Sequence, residues 1–156
     1  MRKLFVGLVT MIVVSCGGSS PASSSPATTP AATPAGPATV AVASNAKLGQ
    51  ILVDGSGRTL YLFEADKSSS STCYSACAQY WPPVLTNGAP VAGSGAKAAL
   101  LGTTTRNDGA VEVTYNGHPL YYVVTDHNPG DATGQAVSNY GAPWYVLGPD
   151  GNKIAG

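Results

Sequence analysis

Cys73 and Cys77 stand in a C-x-x-x-C arrangement, and His118 and His127 are the only two histidines in the chain. Thiolates and imidazoles are the side chains that copper and haem sites use. These four residues are therefore the set from which a metal or redox site would be drawn. Thiol exchange fits the spacing poorly. It is not C-x-x-C, and no Lys, Arg or His lies between or beside the sulfurs to lower a thiol pKa. Both histidines fall in turn regions, His118 after Asn116-Gly117 and His127 before Asn128-Pro129-Gly130-Asp131, where exposed polar residues are ordinary. Asp66, Asp126 and Asp131 are oxygen donors, but their spacing matches no calcium loop. Asp66 and Asp126 are expected to close their strands by accepting nearby backbone N–H groups, as in Asx-turns. No G-x-S-x-G, H-E-x-x-H or phosphate-cradling glycine loop is present, so no catalytic residue is expected.

The compartment decides how the cysteines are read. Arg2 and Lys3 precede the eleven-residue apolar stretch Leu4–Val14, the length of a secretory h-region and too short to cross a hydrocarbon layer of about 30 Å as a helix. It ends in Val13-Val14-Ser15-Cys16, which resembles the bacterial lipobox. The resemblance implies a signal peptide over residues 1–15 and acyl chains on Cys16, including palmitate-type anchors. Two or more chains, at roughly 0.8 kcal/mol per buried CH₂, make a stable membrane anchor on the extracytoplasmic side. Export and a lipidated Cys16 leave Cys73 and Cys77 as an even pair in an oxidising compartment, where a disulfide is the default. A metal or redox pair remains the alternative.

Residues 16–43 read as a tether. From Gly17 onward they are almost wholly Ser, Pro, Ala, Thr and Gly, and they cannot bury enough apolar surface to offset chain entropy. The single domain is then 44–156, with six Lys and Arg against eight Asp and Glu, a net charge of −2 and no basic cluster. Nucleic acid is therefore not an expected partner.

Strand and turn signals dominate this domain. Gln50–Val53 and Arg58–Glu64 flank Asp54-Gly55-Ser56-Gly57; Ala110–Tyr115 and His118–Thr125 flank Asn116-Gly117, the strongest two-residue hairpin signal. Helix is expected only within Thr72–Tyr80, near the cysteine pair, and Ala96–Leu101. The expectation is a small all-β domain, barrel- or sandwich-like, built from two weakly similar hairpin-containing halves at about 47–90 and 107–150. The halves are related by Leu60-Tyr61-Leu62-Phe63 with Asp66 against Leu120-Tyr121-Tyr122-Val123 with Asp126, and by Trp81 against Trp144. Neither half alone would be stable, so they are expected to share a core.

Alternation puts Leu60 and Leu62 on one face of their strand and Tyr61 and Phe63 on the other. One face must be core, and Leu60, Leu62 and Leu120 are expected to be buried. If the other is partly open, Tyr61, Phe63, Trp81, Tyr121 and Trp144 form an aromatic binding surface for a glycan, a planar cofactor or a protein.

Tyr61, Phe63 and Asp66 fit Y-x-(F/W/Y)-x-x-D. With Cys73-Tyr74-Ser75-Ala76-Cys77, Trp81-Pro82-Pro83 and Tyr115–Tyr121, they resemble a bacterial family of predicted lipoproteins built on a secreted repeat of unknown function. The likeness runs from Lys47 to Asp150. Val123 departs from the motif's aromatic, and the second half has no cysteine pair. The resemblance implies an address in the cell envelope and a fold, but no activity. The leading expectation is a non-enzymatic surface module that binds an unknown protein, glycan or small molecule, with no cofactor. The alternative is a redox, copper or haem-handling lipoprotein using Cys73 and Cys77 with His118 or His127.

Overall fold

The computed structural model describes residues 34–155. The signal segment, Cys16 and most of the tether lie outside the described residues. Two hairpins of the same design carry the domain. In the first, β1 (Thr39–Asn45) runs antiparallel to β2 (Gly49–Asp54), from Val40 opposite Asp54 to Asn45 opposite Gly49. In the second, β5 (Leu101–Thr105) runs antiparallel to β6 (Val111–Tyr115), from Leu101 opposite Tyr115 to Thr105 opposite Val111. Both strands of the first hairpin carry β-branched residues toward buried positions, which suits a pleated surface. The expected tether overlaps this hairpin: Thr39–Ala43 belong to β1, and Val40 is fully buried. The folded domain therefore begins before Ser44. Composition hid this because Thr-Val-Ala-Val-Ala continues the small-residue run while already alternating like a strand.

The glycine turn after β2 is held by the Asp54 carboxylate, which accepts the N–H groups of Ser56 and Arg58, and the chain re-enters as β3 (Tyr61–Phe63). After β6, Asn116 and Gly117 take φ of 50° and 78°, the left-handed pair that a two-residue hairpin requires, and lead into β7 (His118–Pro119). The remaining strands are β4 (Val91–Ala92), β8 (Ser138–Asn139) and β9 (Ala142–Val146). Among the described residues helix is confined to α1 (Ala76–Tyr80) and a 3₁₀ turn at Ala98–Leu100, both inside the expected stretches. The sheets have the orders β2-β1-β4, β3-β9-β8 and β5-β6-β7. The domain is all-β, as expected.

The halves are joined by exchanging strands. β3 of the first half pairs with β9 of the second, Phe63 opposite Trp144. The matching segment of the second half pairs with the tryptophan segment of the first: Tyr122 N–H bonds Pro82 O, and Val84 N–H bonds Leu120 O. The correspondence continues through the hairpins. Leu52 N–H bonds Leu147 O while Val113 N–H bonds Val84 O; Leu60 N–H bonds Leu52 O while Leu120 N–H bonds Val113 O. At the centre, Tyr61 and Tyr121 donate N–H to each other's carbonyl, both at 2.9 Å. Each half completes its pairing with the other half's tryptophan strand, so the shared core expected from marginal single hairpins takes the form of interlocked repeats.

This exchange buries the central strand on both faces. Leu60, Leu62 and Leu120 lie in one apolar cluster with Val40, Leu52, Val84, Val113, Tyr115 and Leu147. Tyr61 and Phe63 lie in a second cluster with Trp81, Tyr121, Val123 and Trp144.

Candidate functional site

Tyr61, Phe63, Trp81, Tyr121 and Trp144, the candidates for an aromatic surface had their face been open, meet in the interior, none more than 3% exposed. Phe63, Trp144 and Trp81 form one continuous stack with ring centroids 4.0 Å apart at each step, the two indoles within 1° of parallel. Tyr61 packs its edge on Trp81 at 5.3 Å and Tyr121 its edge on Trp144 at 5.1 Å. Each such aromatic pair adds about 0.5–1.5 kcal/mol beyond its buried area. The candidate binding face is thus a core layer. Alternation correctly placed Tyr61 and Phe63 on one face but could not show that the exchanged strands cover it. Trp81 and Trp144 do occupy corresponding positions, one beside each repeat's tyrosine.

Two residues without a sequence signal complete the stack. Asn139 on β8 takes both indole N–H groups, Trp81 Nε1 on its side-chain oxygen at 3.0 Å and Trp144 Nε1 on its carbonyl at 3.3 Å. Gly134 lies so close that a Cβ there would sit 2.6 Å from Trp81 and 2.8 Å from Tyr61.

The two aspartates are held in mirrored environments. Asp66 Oδ1 accepts the backbone N–H and hydroxyl of Thr72 at 2.8 and 2.6 Å; Asp126 Oδ1 accepts those of Thr133 at 2.9 and 2.7 Å. These are the backbone-amide contacts expected of them. Their second oxygens do something local patterning did not foresee. Asp66 Oδ2 accepts the Tyr121 hydroxyl and Asp126 Oδ2 accepts the Tyr61 hydroxyl, both at 2.6 Å. The tyrosine of each motif therefore serves the aspartate of the other. Each phenol oxygen is also approached by a group beside it, Ser71 Oγ at Tyr121 and Gly134 N–H at Tyr61. Burial, reinforced by the adjacent carboxylates, holds both phenols far above their usual pKa, so they stay neutral donors.

The second repeat adds a buried ion pair. Arg106 Nη1 donates to Glu112 Oε2 and to Ser71 Oγ, both at 2.7 Å, and Nη2 donates to Cys73 O at 2.7 Å, with the guanidinium 4.4 Å over the Tyr74 ring. Burial pushes the Glu112 carboxyl up to about 7 although Arg106 pulls it down, and its Oε1 has no hydrogen-bond partner. Sequence reading missed both residues. In Val111-Glu112-Val113 the glutamate falls on the face opposite the valines, which ordinarily looks to solvent; in the hydrogen-bond correspondence of Leu52 with Val113, its first-repeat counterpart is Ile51.

Cys73 and Cys77 form a disulfide with Cα atoms 5.2 Å apart. The bridge sits at the start of α1, and Trp81 N–H bonds Cys77 O at 2.7 Å, so the linkage pins the turn that delivers Trp81 into the stack. The alternative ligand set is not brought together. His118 lies half-buried on β7 opposite Tyr115, His127 is exposed and donates its N–H to Asp131, and the sulfurs are bonded to one another. Among the described residues no group of three or more His, Cys, Asp or Glu is placed to hold a metal ion. Asp131 is occupied as a turn acceptor for His127 and Asn128. The arrangement as a whole organises hydrogen bonds and aromatic contact in the interior.

No curated protein and no solved structure matches the chain. The profile of a secreted repeat of unknown function matches residues 42–85 and 102–147. Those spans are the two interlocked halves, beginning a few residues earlier than the sequence halves at 47 and 107 and taking in part of β1 and nearly all of β5. With both repeats matched and together covering more than half of its length, the chain belongs to the family described as a secreted repeat of unknown function.

Proposed function

We propose that this protein is a non-enzymatic binding or interaction module, exported and anchored through acyl chains on Cys16 to the extracytoplasmic side of a bacterial membrane. The crossed Tyr61–Asp126 and Tyr121–Asp66 pairs carry the reading. Tyr61 and Asp66 of one repeat and Tyr121 and Asp126 of the other are consumed in holding the two repeats together, which supports a scaffold rather than a reaction. What the scaffold presents outward is loops and strand edges, the parts that recognition modules use. Export agrees with the family's secreted character, and the lipobox-like Val13-Val14-Ser15-Cys16 supports the anchor.

Intact-mass and metal analysis of the protein purified from its native envelope tests this. The expected result is loss of residues 1–15, acyl chains on Cys16, two hydrogens missing for Cys73–Cys77, and no stoichiometric ion or cofactor. Copper or haem at one equivalent would overturn the reading in favour of cofactor handling; unacylated Cys16 would remove the anchor.

A further inference from the structure

The two repeats differ at one sheet edge. In the first, the outer edge of β1 is occupied: Val91 N–H bonds Ala38 O, Gly93 N–H bonds Val40 O, and Val42 N–H bonds Ser94 O, which makes β4 a short parallel neighbour. In the second, β5 takes the place of β1, with Leu101 corresponding to Val40 and Thr103 to Val42. The bonds Asn116 N–H to Leu100 O and Arg106 N–H to Ala110 O set the pattern with β6. By antiparallel alternation, residues 102 and 104 bond β6, and Leu101, Thr103 and Thr105 turn their backbone groups outward. Leu101 N–H is taken by Ala98 O. No described residue pairs with the other outward groups, and β5 is the edge of its sheet.

Soluble proteins protect such edges with Lys, Pro or bulges, because a free row of N–H and C=O groups templates further pairing. Leu101-Gly102-Thr103-Thr104-Thr105 contains no charge, no proline and no bulge. Beside it runs an open groove of about 270 Å³, lined by Ala89, Pro90 and Ala92 on one side and Leu101, Gly102 and Thr103 on the other. One exposed apolar side chain stands beside the edge, Val111, the register partner of Thr105.

We infer that β5 is a docking edge for β5 of a second copy of this chain, the two strands pairing antiparallel about a two-fold axis at Thr103. The edge is self-complementary. Thr103 turns both its donor and its acceptor outward, so it pairs with Thr103 of the other copy, and Thr105 N–H meets Leu101 C=O on either side. Charge agrees at the ends. Exposed Lys97 lies before the 3₁₀ turn that leads into β5, and Asp108, 55% exposed although it touches Arg106 at 3.4 Å, lies after it, so antiparallel pairing brings Lys97 of each copy toward Asp108 of the other. An isologous contact of this kind closes at the dimer, because the β5 edge of each copy is used up in it.

This deepens the interaction-module reading and depends on it only for the class of partner; a monomeric protein would sink the dimer while the mass analysis above still decides the module. The test is sedimentation of the full acylated chain in nonionic detergent over a concentration series, with Thr103→Pro and Thr103→Cys variants. The expected result is a monomer–dimer equilibrium that is lost in Thr103→Pro, whose missing N–H does not bond β6. In Thr103→Cys, mild oxidation is expected to link two copies, and in Lys47→Cys, on the exposed turn between β1 and β2 beside Gly130 and Asp131, it is not. Should Thr103→Pro fail to fold, Thr103→Asp places like charges across the axis and is expected to abolish the dimer. A monomer at every concentration, a dimer that survives both substitutions, or a monomer that instead captures a peptide of sequence Pro-Val-Ala-Gly-Ser-Gly would overturn the proposal.

Discussion

The Tyr61 hydroxyl donates to Asp126 at 2.6 Å across sixty-five positions of sequence, and the Tyr121 hydroxyl makes the matching bond to Asp66. Since Tyr61 and Tyr121 also exchange both backbone hydrogen bonds, four contacts between two motifs lie around one local two-fold axis. Tyr61→Phe and Tyr121→Phe are each expected to destabilise the fold by about 1.5–3 kcal/mol, because each strips a donor from a buried carboxylate. Urea unfolding measures the loss. Values near zero for both would mean the phenols contribute packing only.

Strand exchange makes the halves interdependent. Residues 34–97 and 98–156, produced separately, are each expected to lack dispersed amide signals in NMR, since β3 and β9 lose their partners. Mixing the two fragments is expected to restore the dispersion of the intact domain.

Gly134 tests the aromatic stack. Gly134→Ala puts a methyl within 2.6 Å of Trp81, between rings that have no room to give, and is expected to cost about 1–3 kcal/mol. Near-UV circular dichroism should report the displaced indoles as a weakened tryptophan signal.

Glu112 gives the domain a pH dependence whose sign follows from its shift. Its carboxyl is raised from 4.5 to about 7, so the folded state holds a proton that the unfolded chain releases. The stabilisation is full below about pH 4.5, falls as pH rises, and is gone above about 7, a change of about 3 kcal/mol for this group. Glu112→Gln cannot titrate and is expected to flatten the melting temperature between pH 5 and 8. An unchanged slope in that variant would assign the dependence elsewhere.

The disulfide closes a very short loop, so replacing both Cys73 and Cys77 by Ser is expected to cost only about 2 kcal/mol in denaturant unfolding. The loss should be larger in combination with Arg106→Met, because Arg106 grips the same loop through Cys73 O.

Much of this protein is legible along the chain because the deciding interactions are local. Period-two alternation in Leu60–Phe63, the left-handed demand met by Asn116-Gly117 and the four-residue spacing of Cys73 and Cys77 each act within a few residues. They yield strands, hairpins and repeat directly, and they permit the disulfide that export makes the default over a metal or redox pair. The tether boundary was misplaced for the same local reason: alternation in Thr39–Ala43 is too short to stand out from a run of small residues. What covers a face is a different kind of fact. Tyr61 and Phe63 share a side of their strand whatever the fold, but only the arrival of Trp144, eighty-one residues beyond Phe63, makes that side interior. The same holds for Glu112, placed by pattern on a solvent face and by Arg106 and Ser71 in the core. The crossing of the Tyr–Asp pairs belongs to the tertiary structure alone. Each motif contains its own tyrosine and aspartate, and nothing within either motif distinguishes bonding at home from bonding across the axis until the exchanged strands have brought the two together.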